Sequence, residues 1–321
     1  MTRVGFVWGG AAAAILALGA LALGVVIVTT ATPAAHVQRY LEALARDDLV
    51  SAAQLAGLEP PIAMPLGDDG EPSILRVINS TPESDGTVAV VAEYGGDDDA
   101  ARVTFRLVPA PPTLGVVPAW AFAQTPVATL SVAADQHDRF TMNDRRLTAA
   151  AAGGPVTVTV FVPARVTARL AEPLLSAEPV TLRVTADTES PRGPAVIVLA
   201  VTPSERLERT VLRQVNNLLI ECTSQQVLQP TGCPFGIMID DRVTAPPVWK
   251  LDGVPDLTIE SSERPGVWRV RGDGSVRLVV PTQKLFDGAA VVRDELVGFV
   301  FLGDLVLEPG GPLLTIYPPE G

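Results

Sequence analysis

Two cysteines and two histidines are among the residues of this chain whose types could support redox, metal or acid–base chemistry. Cys222 and Cys233 lie close together, with ten residues between them. A close pair favours a disulfide if the protein is exported to an oxidising compartment, and two buried thiols are the alternative. Two cysteines cannot complete a tetrahedral zinc site, and neither histidine is near them in the sequence. We therefore predict a Cys222–Cys233 disulfide and no metal site.

His137 lies in an acidic stretch, between Asp135 and Asp138. A carboxylate raises the pKa of a neighbouring imidazole, as in a general base. The alternative, which we favour, is a solvated turn between two strands. The sequence has neither a Gly-x-Ser-x-Gly nucleophile elbow nor a glycine-rich phosphate loop. We therefore assign no catalytic residue and no cofactor, and expect a protein that is not an enzyme.

Acidic residues also occur in short runs, which are Asp68-Asp69, Asp97–Asp99 and Asp240-Asp241. Paired carboxylates can bind calcium or perform acid–base chemistry. A calcium loop of the EF type needs ligands at alternating positions, a central Gly and a closing Glu, and none of these runs supplies that pattern. We interpret the runs as exposed turns.

Three tryptophans, Trp120, Trp249 and Trp268, fall in strand-like segments. They either pack in the core of a curved sheet or line a ligand pocket, and we keep them as candidate pocket residues. Trp120 and Trp249 also belong to a weak internal repeat, in which a proline follows six residues later, at Pro126 and Pro255.

The net charge of −12 argues against nucleic acid as a partner. Binding to phosphates needs clustered Lys and Arg side chains, and the sequence contains no such cluster. Acidity of this kind favours solubility, and we expect no nucleic-acid partner.

Two segments carry helix signals. Thr32-Pro33 provides an N-cap followed by Pro in the first helical turn, and a helix that breaks near Asp47-Asp48 follows. Thr202 to Glu205 reads as a capping box that starts a second helix, with Thr202 as the N-cap. The apolar residues of this second helix recur on one face, at Leu207, Val211, Val215, Leu218, Leu219 and Cys222.

Most of the remaining sequence alternates between apolar and polar residues in short runs bounded by Gly, Pro and Asp, as strands do. Asp273-Gly274 lies between two such runs, Trp268–Arg271 and Val276–Val279. This arrangement predicts a β-hairpin with its turn at Asp273-Gly274.

The run from Val4 to Val28 carries no charge and is long enough for a transmembrane helix. A cleaved signal peptide is the alternative, but its apolar core is usually shorter. We therefore predict a single-pass protein of the cell membrane, with its amino terminus in the cytoplasm and the ectodomain outside. The flanking charges constrain this orientation only weakly.

The predicted fold class is α+β: an N-terminal transmembrane helix, then two helix-plus-curved-antiparallel-sheet modules flanking a small all-β module. The predicted domains are the anchor at 1–31, an α+β domain at 32–133, the β module at 134–200 and a second α+β domain at 202–321.

The segment Tyr40–Leu49, together with Ala52-Ala53, resembles the first helix of cone-type domains of the nuclear-transport-factor-two-like superfamily. That family usually has Gly where this chain has Arg46. The resemblance implies a helix packed across a strongly curved antiparallel sheet. Some members of the family are isomerases that use an acid and a Tyr inside the cone, but we find no such pair here.

The segment Phe140–Asp144, followed by Val158–Val162, resembles small extracellular β modules of the PEGA type, although Asp144 and Ala164 stand where Gly is usual. The whole layout resembles membrane-anchored envelope proteins of actinobacteria. This resemblance implies a location in the cell envelope and no particular activity. Since we assign no catalytic residue, we expect a non-catalytic binding or scaffold protein of the cell envelope, with an envelope protein or wall component as its partner. A cone-type hydrolase or isomerase and a structural spacer are the alternatives, and the oligomeric state stays open.

Overall fold

The structure is a computed structural model, and it describes residues 31–58, 74–95, 100–113, 117–185 and 194–317. Within these ranges the helices are α1 (Pro33–Ala45), α2 (Leu49–Leu55) and α3 (Glu205–Thr223). The strands are, in chain order, β1 (Ile74–Pro82), β2 (Val88–Gly95), β3 (Ala101–Thr113), β4 (Val117–Phe122), β5 (Val127–Ala134), β6 (Arg139–Met142), β7 (Arg145–Thr148), β8 (Val156–Phe161), β9 (Ala164–Arg169), β10 (Leu175–Ser176), β11 (Val180–Val184), β12 (Ala195–Leu199), β13 (Thr202–Pro203), β14 (Arg242–Val243), β15 (Val248–Leu251), β16 (Asp256–Ser261), β17 (Val267–Gln283), β18 (Ala290–Glu308) and β19 (Gly311–Tyr317).

The predicted fold class is wrong. The described residues are mostly β, with 52% in strands and 15% in helices, and among them we find neither a transmembrane helix nor the two predicted helix-plus-sheet modules. The helix signals at Thr32-Pro33 and near Ser204 do produce helices, but these are few and short. The alternating segments between them form strands throughout the described ranges, because alternation places one face of each strand in a core.

The predicted single-pass membrane localisation is also corrected. Among the described residues, no helix is long and apolar enough to cross a membrane. The longest, α3, has 19 residues and carries charged side chains such as Glu205, Arg209 and Arg213. The predicted anchor at 1–31 lies outside the described residues, except for Ala31.

The chain divides into two compact units. Unit 1 consists of Met1–Val132, Thr157–Thr167 and Thr181–Ile197. Unit 2 consists of Ala133–Val156, Ala168–Val180 and Val198–Gly321. The domain boundaries expected from the sequence stay a prediction.

Unit 1 is built around a four-stranded antiparallel sheet in the order β1-β2-β3-β4. Strands β12, β5 and β8 form a second, three-stranded sheet. Helix α1 packs against β1, β2 and β4. In β2 the residues alternate between buried and half-buried, so that its Val88, Val90 and Ala92 face the core.

Helix α1 begins where the sequence predicts. The hydroxyl of Thr32 accepts a hydrogen bond from the backbone N–H of Ala35 at 3.1 Å, and Pro33 occupies the first turn. The apolar residues of α1 recur at helical spacing and are buried. They are Val37, Tyr40, Leu41 and Leu44. The helix ends at Ala45, with Arg46 as its C-cap, and the Asp48 carboxylate caps α2 by accepting a hydrogen bond from the Ser51 N–H.

Unit 2 is built around a six-stranded antiparallel sheet whose central strand is β17. Strands β14, β15 and β16 pair with one side of β17, and β18 pairs with the other side. Strand β19 adds to β18. Helix α3 contacts β15, β16 and β19.

The predicted start of α3 is wrong by two residues. Its N-cap is Ser204, whose hydroxyl accepts from the Leu207 N–H at 3.3 Å. Thr202 cannot act as the cap because it pairs with Ser176 as part of β13. The predicted apolar face is confirmed by the burial of Leu207, Val211, Val215, Leu219 and Cys222, whereas Leu218 is only half-buried.

The predicted hairpin at Asp273-Gly274 is also wrong, since both residues lie in the middle of β17. The two glycines of this region serve side-chain packing and not a turn. A Cβ atom added to Gly274 would lie 2.8 Å from Cζ of Phe299, and one added to Gly272 would collide with the ring of Phe301. The missing side chains make room for the two rings that β18 places across from them.

Candidate functional site

A cleft of about 640 Å³ opens on unit 1 between the start of α1, the end of α2 and β4. A volume of this size is in the range of small-ligand sites. Its wall is a mixture of small, apolar and polar side chains with one indole and one guanidinium group. The residues that line it are Ala31, Ala35, His36, Gln38, Arg39, Leu55, Val117, Pro118, Ala119 and Trp120.

Trp120 forms the aromatic part of this wall. Strand β4 holds it opposite Pro109 of β3. Its indole N–H donates a hydrogen bond to the backbone oxygen of Ala31 at 3.1 Å, which ties β4 to the residue before the α1 N-cap. The side chain is only half-buried, so part of the ring is available to a ligand.

His36 contributes a neutral imidazole. Its Nε2 lies 3.1 Å from the Leu55 backbone oxygen, and its ring meets the Phe122 ring edge-on at 5.3 Å. Burial lowers the pKa of His36 below 6.5, an effect that the hydrogen bond to Leu55 opposes and the Arg39 charge reinforces. The imidazole is therefore uncharged at neutral pH and joins α1 to the end of α2.

Gln38 and Arg39 supply the polar part of the wall. The Gln38 side chain donates to Glu42 at 3.2 Å and accepts from the backbone N–H of Val77, so it is engaged in the fold. Arg39 is exposed, and its Nε donates to the Ala35 backbone oxygen at 3.2 Å. That bond leaves the terminal nitrogens of the Arg39 guanidinium as the charged donors of the cleft.

Tyr40 fixes the helix that carries these residues. It is fully buried, and its ring contacts the rings of Phe105, Phe122 and Phe161 edge-on. Its hydroxyl lies 2.8 Å from the backbone oxygen of Val162 and 3.1 Å from that of Pro126. Burial raises the pKa of the Tyr40 phenol well above its usual value, so it stays protonated as a donor.

The other two tryptophans lie in the core of unit 2, away from any described cleft. Trp268 is 1% exposed and Trp249 is 4% exposed. The Trp249 indole N–H donates to the Val227 backbone oxygen at 2.8 Å, and its ring packs on Phe235. Of the three candidate pocket residues, Trp120 alone lines the cleft.

The predicted disulfide between Cys222 and Cys233 is confirmed, with an S–S distance of 2.01 Å. Cys222 lies in the last turn of α3 and is buried. The bridge fastens the loop after the helix, where the Gln225 side chain also accepts from the Thr231 N–H at 2.8 Å.

His137 does not line the cleft of unit 1. It is 8% exposed, its Nδ1 lies 4.0 Å from the Asp138 carboxylate, and its Nε2 has no hydrogen-bond partner. Burial lowers the pKa of His137; the carboxylates of Asp138 and Glu172 oppose this effect, and the Arg139 charge adds to it. The imidazole is therefore a neutral, buried group.

The acidic runs divide between described and undescribed residues. Asp68-Asp69 and Asp97–Asp99 lie outside the described residues. Asp241 forms an ion pair with Arg293 at 3.4 Å. Within the described ranges, no group of three or more His, Cys, Asp or Glu side chains is arranged to hold a metal ion.

Sequence reasoning missed a charged cluster around Asp304 in β18. Asp304 is 9% exposed and is bound by Arg264, by Arg269 at 3.6 Å and by the Tyr317 hydroxyl at 3.0 Å. These residues are far apart in the sequence. The register of β17, β18 and β19 brings Arg269, Asp304 and Tyr317 together, and Arg264 reaches Asp304 from the loop before β17. The pairing neutralises a buried carboxylate, and the cluster therefore supports the fold of unit 2.

No protein-family model, curated protein or solved structure matches this chain. What the cleft can bind therefore has to be inferred from its own side chains.

Proposed function

We propose that this protein is a non-catalytic binding protein of an oxidising compartment outside the cytoplasm, and that the cleft of unit 1 is its ligand site. The observation that carries this proposal is the half-exposed indole of Trp120 in a cleft that also contains the Arg39 guanidinium. The Cys222–Cys233 disulfide supports the compartment, because such bridges persist where thiols are not kept reduced.

The composition of the cleft indicates the class of ligand. Trp120, Pro118, Val117 and Leu55 offer apolar surface, and Arg39 offers charged donors to an anion. A group that joins an apolar or aromatic part to a carboxylate fits both features, since guanidinium and carboxylate pair well. The side chain of a peptide beside its terminal carboxylate, or a comparable wall component, meets this description.

The non-catalytic role is supported by what His36 does. Acid–base catalysis requires an imidazole that is free to exchange a proton with a substrate. The imidazole of His36 instead packs on Phe122 and contacts the Leu55 backbone oxygen, and burial lowers its pKa. His36 therefore has a structural role in the wall of the cleft.

The test uses phenylacetate as an aromatic acid and phenylacetamide as its uncharged counterpart, with binding followed by saturation-transfer-difference NMR on the full chain. We expect phenylacetate to bind better than phenylacetamide. Arg39→Ala should remove that preference, and Trp120→Ala should abolish binding of both probes. Trp120→Phe should retain binding because it keeps an aromatic surface.

Arg102→Ala is the matched control for Arg39→Ala, since Arg102 is an exposed arginine of β3 that does not line the cleft. It should leave both probes unaffected. The proposal is wrong if neither probe binds, or if binding is the same in Trp120→Ala as in the unmodified chain.

A further inference from the structure

Strand β18 has an unpaired edge along more than half of its length. On one side it pairs with β17 from Ala290 to Val306. On the other side it pairs with β19 only from Leu302 to Glu308. No described strand pairs with the outer side of residues 290–301, which we call the free edge.

The hydrogen bonds of the sheet show which residues of the free edge point outward. The Pro281 backbone oxygen accepts from the Thr244 N–H at 3.0 Å, so Pro281 points away from β18. Its partner Val292 therefore points its own N–H and C=O away from β17. Every second residue does the same. The outward residues between 291 and 301 are Val292, Asp294, Leu296, Gly298 and Val300.

The free edge carries three charged residues, Arg293, Asp294 and Glu295, and each of them is in an ion pair within the chain. It contains neither Pro nor Lys. Val292 is 63% exposed, Leu296 is 60% exposed and Val300 is 41% exposed, all on one face of the sheet. The carboxylate of Asp294 is already bound by Arg277, with distances of 2.6 and 2.8 Å. An approaching strand thus meets apolar side chains and the paired Asp294 on this face, and on the other face it meets Arg293 and Glu295, which lie 3.8 Å apart.

We propose that the free edge pairs with the same edge of a second copy of this chain, antiparallel and around a two-fold axis at Leu296. Val292 of each copy then lies opposite Val300 of the other, and Asp294 opposite Gly298. The outward N–H and C=O groups of the two copies face each other in this register, as an antiparallel ladder requires. Each Val and Leu gains an apolar neighbour across the interface.

The sequence of the free edge favours this register over its neighbours. A two-fold axis at Glu295 places that carboxylate opposite its own copy, and an axis at Asp294 does the same for Asp294, which is unfavourable. An axis at Val297 brings Val292 opposite Leu302, whose outer side is already paired with Tyr317. The axis at Leu296 pairs residues 291–301 without placing like charges opposite each other, and only Ala290, the first residue of β18, comes opposite Leu302.

This inference is independent of the proposed ligand site, because all of its residues belong to unit 2. The proposed dimer is closed and its interface is self-complementary, because the free edge of each copy pairs with the free edge of the other. Pairing at the free edge continues one six-stranded sheet into another.

The test is sedimentation velocity of the full chain over a range of concentrations. We expect a monomer–dimer equilibrium. Leu296→Lys should weaken dimerisation about tenfold or more, because it places two cations opposite each other at the axis. Val248→Lys is the matched control, because Val248 is also 60% exposed but lies on β15, on the far side of β17.

Mixing two variants tests the two-fold axis itself. Leu296→Lys and Leu296→Glu should each be mainly monomeric, and an equimolar mixture should form dimers again, because opposite charges then meet. Far-UV circular dichroism and thermal unfolding of each variant check that the fold is retained. A monomer at all concentrations, a dimer insensitive to Leu296→Lys, or a mixture that stays monomeric would each overturn the proposal.

Discussion

At the scale of single residues, Tyr40 shows how much one hydroxyl contributes to unit 1. Its O–H is the donor to the Val162 backbone oxygen at 2.8 Å in a fully buried site. Tyr40→Phe keeps the ring and leaves that oxygen without its donor. We therefore expect a loss of about 1–3 kcal/mol in the free energy of unfolding, measured by urea denaturation.

Tyr317→Phe is the comparison for Tyr40→Phe. The Tyr317 hydroxyl also donates a hydrogen bond, to Asp304 at 3.0 Å, but the residue is 45% exposed and the carboxylate keeps its arginine partners. Water can replace the lost donor, so the cost should be below about 1 kcal/mol. Equal losses in the two variants would contradict the role that we give to Tyr40.

We expect the stability of the protein to depend on pH through His137. Its pKa in the folded chain is lower than the 6.5 of an ordinary histidine, chiefly because of burial. The unfolded chain therefore binds more protons as the pH falls through about 6.5, and the free energy of unfolding decreases. The decrease stops below the folded-state pKa, where both states are protonated.

The measurement is urea denaturation between pH 7.5 and 5.5. His36 has a lowered pKa as well, so the two histidines of the chain share the effect. We expect His137→Gln to remove one part of the pH dependence and His36→Gln the other. The explanation fails if the double variant keeps the slope of the unmodified chain.

At the scale of elements, the two glycines of β17 mark the positions of aromatic rings. A Cβ atom on Gly272 collides with Phe301, which is almost fully buried and has little room to shift. We expect Gly272→Ala to destabilise the chain by about 1–3 kcal/mol through overpacking. Gly298→Ala, on the neighbouring strand, should cost little, since the nearest atom to its added Cβ is 4.0 Å away. Thermal unfolding of the two variants tests this difference.

The disulfide stabilises the element that follows α3. A bridge that closes a short loop contributes about 2–3 kcal/mol, mostly by restricting the unfolded chain. Cys233→Ser removes the bridge while leaving the buried Cys222 in place. It should lower the free energy of unfolding by that amount, and a reductant should lower the unmodified chain to the same value. A reductant that also destabilises Cys233→Ser would show that the effect is not due to this bridge.

Local patterns predicted the helices and the disulfide well, because their causes are local. Helix α1 begins at a Thr N-cap that is followed by Pro, and its apolar face orients it toward the core. The prediction of a hairpin at Asp273-Gly274 was wrong because this dipeptide is compatible with two structures. It can form a turn, and it can also lie in a strand where aromatic rings pack closely against the glycine. The partner that decides between them, Phe299, is 25 residues further along the chain and enters through the register of β18.

The cleft could be anticipated only in part. Trp120, Trp249 and Trp268 have similar surroundings in the sequence, yet two lie in a core and one lines a cleft. Nothing local marks Arg39 or His36 as its neighbours, because the packing of α1 on β4 brings them together. The prediction of an α+β fold was wrong for a different reason. It relied on two strong helix signals, whereas most of the chain carried weaker strand signals.

At the scale of the whole molecule, the net charge of −12 opposes the proposed dimer. Two copies repel each other over the Debye length, which is about 30 Å at 0.01 M salt and about 10 Å at 0.1 M. The interface itself consists of backbone hydrogen bonds and apolar side chains, and in its register no charged side chain faces another charged side chain. We therefore expect dimerisation to strengthen when the salt concentration rises from 20 to 200 mM, as measured by sedimentation equilibrium. The Leu296→Lys and Leu296→Glu mixture should respond less, since salt also screens the attraction that holds it together. Dimers of the unmodified chain that weaken with salt would indicate an interface built on ion pairs, which the free edge does not provide.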